Sequence, residues 1–128
     1  MKKKIAEVSI YANNGSVNEI EFFRLKTGEC PTEEFLDSLP SKMAQKVTWV
    51  LKIIEEGDII PAKYFKKLVN TDEIWECRVS FGNNTVRLLG FFDGPRKIIL
   101  THGFRKKSQK TPRQEIQRAE RYKKEYFG

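Results

Sequence analysis

The sequence has little of the chemistry on which metal centres and disulfide scaffolds depend. It holds two cysteines, Cys30 and Cys77, which lie far apart in the chain, and one histidine, His102. Zinc sites draw their ligands from closely spaced Cys and His residues, so we expect no metal and no cofactor. Two isolated thiols are more typical of reduced cysteines in a cytoplasmic protein than of a disulfide framework.

Long apolar runs are also absent. No segment approaches the roughly 18 apolar residues that build a membrane-spanning helix, and the basic start 1–4 is not followed by the apolar stretch of a signal peptide. No Gly-rich phosphate loop is visible. We therefore expect a cytoplasmic protein without a membrane partner. The 128 residues, 39% of them hydrophobic, can build a hydrophobic core, and we predict one domain over 1–128.

Positive charge is what the sequence has in excess, and it is unevenly placed. The formal net charge is +7, and residues 101–128 supply nearly all of it, with nine Lys or Arg against three Glu. A localised basic surface is typical of proteins that bind a polyanion, such as nucleic acid, the ribosome or an acidic protein. A solvated helix face would carry the same charge without any partner.

The N-terminal half is predicted to form a hairpin followed by helices. Two strands, Lys4–Ala12 and Asn18–Leu25, flank the turn-forming residues 13–15 and give a hairpin over 4–25. Helices are predicted over about 32–57, because apolar residues recur there at helical spacing. The longer of them is predicted to begin at Pro40-Ser41 and to end at about Glu56. Residues 58–69 are predicted as an irregular loop. Trp49 and Trp75 are predicted to lie in the core.

The C-terminal half is predicted as a sheet over about 74–101 and a helix over about 112–126. Short turns separate strands at 74–81, 85–92 and 96–101, which favours an antiparallel meander. Thr111 has the position of a helix N-cap. The whole indicates an α+β fold: a twisted antiparallel β-sheet with N-terminal helices and a C-terminal helix packed on it.

Alternation within the first two strands of the meander predicts their register. A two-residue turn places Val79 and Val86 together on the core side, and Arg78 and Arg87 together on the opposite face. Like charges on neighbouring strands repel each other, so the pair suggests an anion site. The alternative for either arginine is a salt bridge, with Glu76 as the nearest candidate.

The segment after the third strand adds to this face. Arg105, Lys106 and Lys107 follow the strand and can converge with the two arginines, since guanidinium and ammonium groups both bind phosphate. His102, at the predicted exit of the strand, has a charge state that changes near neutral pH. Its alternative role is to hold the loop by hydrogen bonds. Tyr64 could stack on nucleic-acid bases.

Several sequence runs together carry a family resemblance. They are C-P-T-E-E-F-L-D-S-L-P at 30–40, W-E-C-R-V at 75–79, V-R-L-L-G-F-F-D-G at 86–94, and I-I-L-T-H-G-F-R-K-K-S-Q-K-T-P-R-Q-E-I at 98–116. The sequence resembles the RelE/ParE toxin superfamily, and most of all its HigB-like and phage-derived Gp49-like branch. The similarity covers about 18–127. Val86 and Gly90 depart from it, because the family often has tyrosine at these two positions.

The resemblance implies a toxin of a type II toxin–antitoxin system. Its activity would be that of a ribosome-dependent, metal-independent mRNA endoribonuclease (an mRNA interferase) that inhibits translation. The 2′-hydroxyl of the substrate would attack the adjacent phosphate, and basic residues would stabilise the developing charge. The implied partners are a cognate antitoxin of helix-turn-helix type, the ribosome and mRNA.

Carried over residue by residue, the resemblance implies one set of catalytic residues and no metal. The catalytic set is Arg78, Arg87, Lys106 and Lys107. Beside this set, the basic residues Lys66, Lys67, His102, Arg105 and Lys110 are predicted to bind RNA. Two alternatives stay open. One is a ParE-like toxin that inhibits DNA gyrase, and the other is a non-catalytic phage-derived module that binds RNA or protein.

Overall fold

The computed structural model describes residues 17–107 and 109–128. The elements in chain order are β1 (Glu19–Phe22), α1 (Pro31–Asp37), α2 (Ser41–Glu56), β2 (Phe65–Lys67), β3 (Trp75–Phe81), β4 (Asn84–Asp93), β5 (Lys97–Arg105) and α3 (Arg113–Phe127). The predicted α+β class is confirmed. The predicted strand Lys4–Ala12 and the turn at 13–15 lie outside the described residues.

The five strands form one mixed sheet in the order β1-β5-β4-β3-β2. The predicted antiparallel meander of β3, β4 and β5 is confirmed. The first strand differs from the expectation, because β1 pairs in parallel with β5. The amide of Glu19 donates to the carbonyl of Arg96 at 2.8 Å, and that of Phe23 to Leu100 at 2.9 Å. The sheet is therefore mixed rather than purely antiparallel.

Two segments are more regular than predicted. The loop expected over 58–69 contains β2, whose Lys66 lies opposite Glu76 of β3, so the prediction is wrong at 65–67. Three residues are too few to show alternation, and their strand conformation depends on pairing with β3. Strand β5 continues to Arg105. His102 therefore lies inside this strand and not at its exit.

The main core lies between helices α1 and α2 and one face of the sheet. Helix α2 has its predicted bounds, and its apolar side, which includes Val47 and Leu51, packs with Val79, Val86 and Leu88 of the sheet. Gly103 of β5 faces α1. A Cβ atom built on this glycine would lie 2.3 Å from Cδ2 of Phe35, so the close approach of α1 to the sheet requires glycine here.

Helix α3 covers part of the opposite face of the sheet. Ala119 is fully buried, the ring of Tyr122 stacks on Phe23 at 4.9 Å, and Tyr126 meets Phe91 edge-on at 5.3 Å. The predicted packing of the C-terminal helix on the sheet is confirmed. The predicted N-cap role of Thr111 is wrong, because Pro112 occupies the cap position without a side-chain cap bond.

The predicted core position of Trp49 is also wrong. Trp49 lies on the solvent side of α2 and is 49% exposed. Trp75 is half-buried against the core, where it stacks on Phe65 at 5.0 Å. Among the described residues, no helix combines the length and apolarity needed to cross a membrane.

Candidate functional site

The two strand arginines lie side by side on the face of the sheet that α3 only partly covers. Arg78 of β3 is directly opposite Arg87 of β4, so the register predicted from alternation is confirmed. Their exposure differs greatly, however. The side chain of Arg87 is 2% exposed and that of Arg78 is 36% exposed. Of the pair, Arg78 is the arginine that meets solvent.

A single buried carboxylate serves both arginines. Nη1 of Arg87 donates to both carboxylate oxygens of Glu76 at 2.7 Å, and Nη2 of Arg78 lies 3.5 Å from Oε1. The side chain of Glu76 is completely buried. The salt bridge weighed from the sequence is therefore present. One negative charge faces two guanidinium groups, so Glu76, Arg78 and Arg87 together keep a net positive charge.

The segment before α3 closes over Arg87. Nη1 of Arg87 donates to the hydroxyl of Thr111 at 3.1 Å, and Nη2 lies 3.5 Å from the carbonyl of Gln109. The Thr111 hydroxyl in turn donates to Glu76. This bond is why Thr111 does not cap the helix. Arg87 thus links β3, β4 and the chain that leads into α3, and its guanidinium is held in one orientation.

Lys106 lies beside the arginine pair. Its amide donates to the carbonyl of Thr85 at 2.9 Å, which extends the pairing of β4 and β5 by one residue. Desolvation lowers the pKa of the Lys106 ammonium, and the positive charges of Arg87, Arg78 and Lys66 lower it further. A lowered pKa makes the ammonium a stronger acid, so Lys106 suits both anion binding and proton donation.

We call Lys66, Arg78, Arg87 and Lys106 the cationic cluster. Lys107 is exposed next to it and lines an open depression of about 350 Å³ together with Thr85, Lys106, Asn83 and Gln109. Lys106 belongs to both the cluster and the depression, so the two adjoin near the end of β5, and basic side chains of this kind bind phosphate groups.

Three of the other predicted site residues are found in different surroundings. Lys67 lines a depression with Trp75 and Phe92. Arg105 is exposed but is paired with Val86, which places it on the core side of the sheet. Lys110 lines a depression at the start of α3, together with Thr111 and Pro112. The described structure thus brings together five of the nine predicted residues: the cationic cluster and Lys107.

His102 is buried between β5 and α3, with 1% of its surface exposed. Its Nε2 lies 2.9 Å from Oε1 of Glu115, and its Nδ1 lies 3.0 Å from the hydroxyl of Thr101. Burial, followed by the positive charge of Arg118, lowers the pKa of His102 to about 4, although Glu115 opposes the shift. These contacts fit the alternative role given for His102, in which its ring holds neighbouring segments in place by hydrogen bonds.

Sequence reasoning missed the part played by residues 109–111. The position of Thr111 before a proline predicts a helix N-cap, because that interpretation uses only the neighbouring residues. Its actual partner, Glu76, lies 35 residues away. A polar residue flanked by a basic run and a proline is the only signal that the sequence offered.

Within 17–107 and 109–128, no group of three or more His, Cys, Asp or Glu side chains is placed to hold a metal ion. What the site offers is cationic hydrogen-bond donors on a rigid sheet. Such donors can bind a phosphate and stabilise charge that develops on its oxygens.

The architecture, a sheet with helices on one face and a C-terminal helix on the other, is consistent with the RelE-like toxin fold. Residues 34–124 match the model of the phage-derived Gp49-like protein family. The chain belongs to this toxin-like family, which is part of the RelE/ParE-like toxin superfamily. No curated protein matches the sequence.

Proposed function

We propose that this protein is the toxin of a type II toxin–antitoxin module and cuts mRNA on the ribosome, as a HigB-like mRNA interferase. The observation that carries the proposal is the cationic cluster. Arg78 and Lys106 present their charged ends beside a buried, rigid Glu76–Arg87 pair. A metal-independent nuclease needs such fixed cations to replace the charge of a metal ion.

In the proposed reaction, the 2′-hydroxyl of the RNA gives its proton to solvent water, and its oxygen forms a bond to the adjacent phosphorus as the bond from phosphorus to the 5′-oxygen breaks. The products are a 2′,3′-cyclic phosphate and a 5′-hydroxyl. Arg78 binds the non-bridging oxygens, where negative charge grows in the transition state. Lys106 gives a proton to the leaving 5′-oxygen, a role that its lowered pKa favours.

The remaining members act around these two groups. Arg87 holds Glu76, and Glu76 in turn holds Arg78, so the exposed guanidinium keeps its orientation. Lys66 and Lys107 bind flanking phosphates. We assign His102 to fixing α3 on the sheet through Glu115, because both of its ring nitrogens are engaged.

The proposed partners follow from the family and from charge. A toxin-like family suggests a cognate antitoxin, for which we propose a helix-turn-helix protein that also represses the operon. The ribosome would hold the mRNA in position and so supply the alignment that a small open site cannot impose alone. Such a toxin would act in the cytoplasm.

The burial of Arg87 favours a second candidate, a phage-derived module that binds RNA or protein without cutting it. Because Arg87 is buried against Glu76, Arg78 is the accessible arginine of the cluster. Such a site could hold a phosphate with no transition-state role for the second guanidinium.

The test is induction in a bacterial host, with mapping of new 5′ ends in translated mRNAs. The wild type is compared with Arg78→Ala, Lys106→Ala and the control Lys124→Ala, which removes an exposed lysine on α3. We expect growth arrest and cuts inside translated codons for the wild type and the control, and neither for the two site variants. Arrest with intact mRNA would replace the proposal with a gyrase-directed, ParE-like toxin. No arrest by the wild type would support the binding module.

A further inference from the structure

An aromatic and basic surface lies outside the proposed cutting site. Trp49, on the solvent side of α2, is the most unusual of the exposed apolar residues, because tryptophan is costly to leave in water. Tyr64, half-buried just before β2, meets it edge-on with 6.0 Å between the ring centroids. We call Trp49, Tyr64 and the lysines beside them, Lys46 and Lys63, the aromatic platform.

Each ring of the platform carries its own cation. Nζ of Lys46 lies 4.9 Å from the centroid of Trp49, and Nζ of Lys63 lies 4.9 Å from the centroid of Tyr64. Neither lysine forms an ion pair with another described residue. An accessible ring with an unneutralised ammonium beside it offers a stacking surface and a phosphate contact within one nucleotide's reach.

The exposed charges on helix α2 before Glu56 have one sign. Lys42 and Lys52 also project from the solvent side of α2, and the first exposed acidic residue of this helix is Glu56, its last residue. Glu55 precedes it but is buried. A neutral or basic protein partner with an apolar patch would use the tryptophan but would gain nothing from four lysines. A polyanion with planar apolar groups uses both.

The platform also adjoins the cationic cluster. The carbonyl of Tyr64 accepts a hydrogen bond from the amide of Arg78 at 2.8 Å. Lys66, two residues further along the chain, is already a member of the cluster. Helix α2 and the arginines lie on opposite faces of the sheet, so a strand of RNA whose phosphate lies at Arg78 reaches Trp49 by passing over the edge strand β2.

From these observations we infer that the aromatic platform is a second RNA-binding site, on which unpaired bases flanking the cluster stack while Lys46 and Lys63 bind their phosphates. The inference builds on the proposed function in taking RNA as the ligand. It does not require that the RNA is cut.

Fluorescence gives a direct test, because the chain has two tryptophans. In a Trp75→Phe variant, which keeps an aromatic ring stacked on Phe65, the emission reports Trp49 alone. We expect saturable quenching by a single-stranded adenine-rich RNA of about 12 nucleotides, weakened by salt. An RNA duplex of equal charge should quench little, since its bases are already stacked. Absence of quenching by the single strand would overturn the inference, as would equal quenching by heparin.

Binding measured by fluorescence anisotropy of a labelled RNA, with Trp75 intact, provides the second readout. Trp49→Ala should weaken binding about tenfold, the scale of one lost stacking contact, whereas Trp49→Phe should retain most of it. Phe127→Ala is the matched control, since Phe127 is 55% exposed at the far end of α3. Equal affinity of Trp49→Ala and the wild type would refute the site.

An Arg78→Ala variant separates this inference from the proposed function. If the platform binds RNA as inferred, quenching of Trp49 persists in the Trp75→Phe, Arg78→Ala double variant even when cutting is lost. If the wild type proves not to cut mRNA yet Trp49 is quenched, the platform stands and the nuclease proposal fails.

Discussion

The strongest prediction concerns Arg87, whose replacement by alanine should damage the fold before it affects any chemistry. Removing this side chain leaves the carboxylate of Glu76 fully buried, with the loss of two 2.7 Å contacts. Breaking one half of a buried ion pair typically costs about 3–5 kcal/mol. Arg78→Ala removes a contact of 3.5 Å from a side chain that is 36% exposed, and should cost about 1 kcal/mol or less.

Urea unfolding at neutral pH, followed by circular dichroism, measures both losses. A double variant with Glu76→Leu and Arg87→Met serves as the control, because it removes the unpaired charge and keeps the space filled. Its free energy of unfolding should exceed that of Arg87→Ala by at least about 2 kcal/mol. If Arg87→Ala were no less stable than Arg78→Ala, the pair would not support the fold as argued.

This difference decides which variants can report on function. A loss of toxicity in Arg87→Ala would follow from a loosened sheet as readily as from a lost phosphate contact. Arg78→Ala and Lys106→Ala keep the Glu76–Arg87 pair and so test the chemistry itself. The toxicity of any Arg87 variant should therefore be compared with the free energy of unfolding of the same variant.

Two further predictions concern stability. Burial lowers the pKa of His102 to about 4, so the free energy of unfolding falls as the pH drops from 6.5 to 4. Burial raises the pKa of Glu55 to about 7, so the free energy of unfolding falls as the pH rises from 4.5 to 7. The two trends oppose each other and largely cancel in the wild type. Without Glu55, in Glu55→Gln, the free energy of unfolding should fall by about 2–3 kcal/mol between pH 7 and 4.5 because His102 becomes protonated on unfolding. Equal pH profiles of the variant and the wild type in urea unfolding would contradict this. Gly103→Ala places its Cβ 2.3 Å from Phe35 and 2.4 Å from Leu88 and should cost about 1–3 kcal/mol. The pairing of Gly103→Ala with Phe35→Leu should recover part of that loss in thermal unfolding, and no recovery would place the strain elsewhere.

The sequence predicted best what alternation and turn chemistry determine locally. Val79 and Val86 on one face, with Arg78 opposite Arg87 on the other, followed from period-two patterning across the turn that contains Gly82. The bounds of α2 followed from helical periodicity between Pro40 and Gly57.

What the sequence could not predict depends on partners distant in the chain. The parallel pairing of β1 with β5 has no local signal, and the turn residues 13–15 favoured a neighbour instead. Arg87 is buried because residues 109–111 cross over it, and no pattern around Arg87 indicates that cover. The exposure of Trp49 was missed since an aromatic residue on a helix is usually a core residue.

The pairing of β1 with β5 has a consequence for how the protein is made. The hydroxyl of Thr32 donates to the carbonyl of Leu100 across 68 residues, and the amide of Phe23 bonds the same carbonyl. While the chain emerges from the ribosome, Phe23 and α1 lack these partners until β5 has been synthesised. The fold can close only after β5 has left the exit tunnel. A chain that stops before β5 therefore has neither a completed sheet nor an assembled cationic cluster.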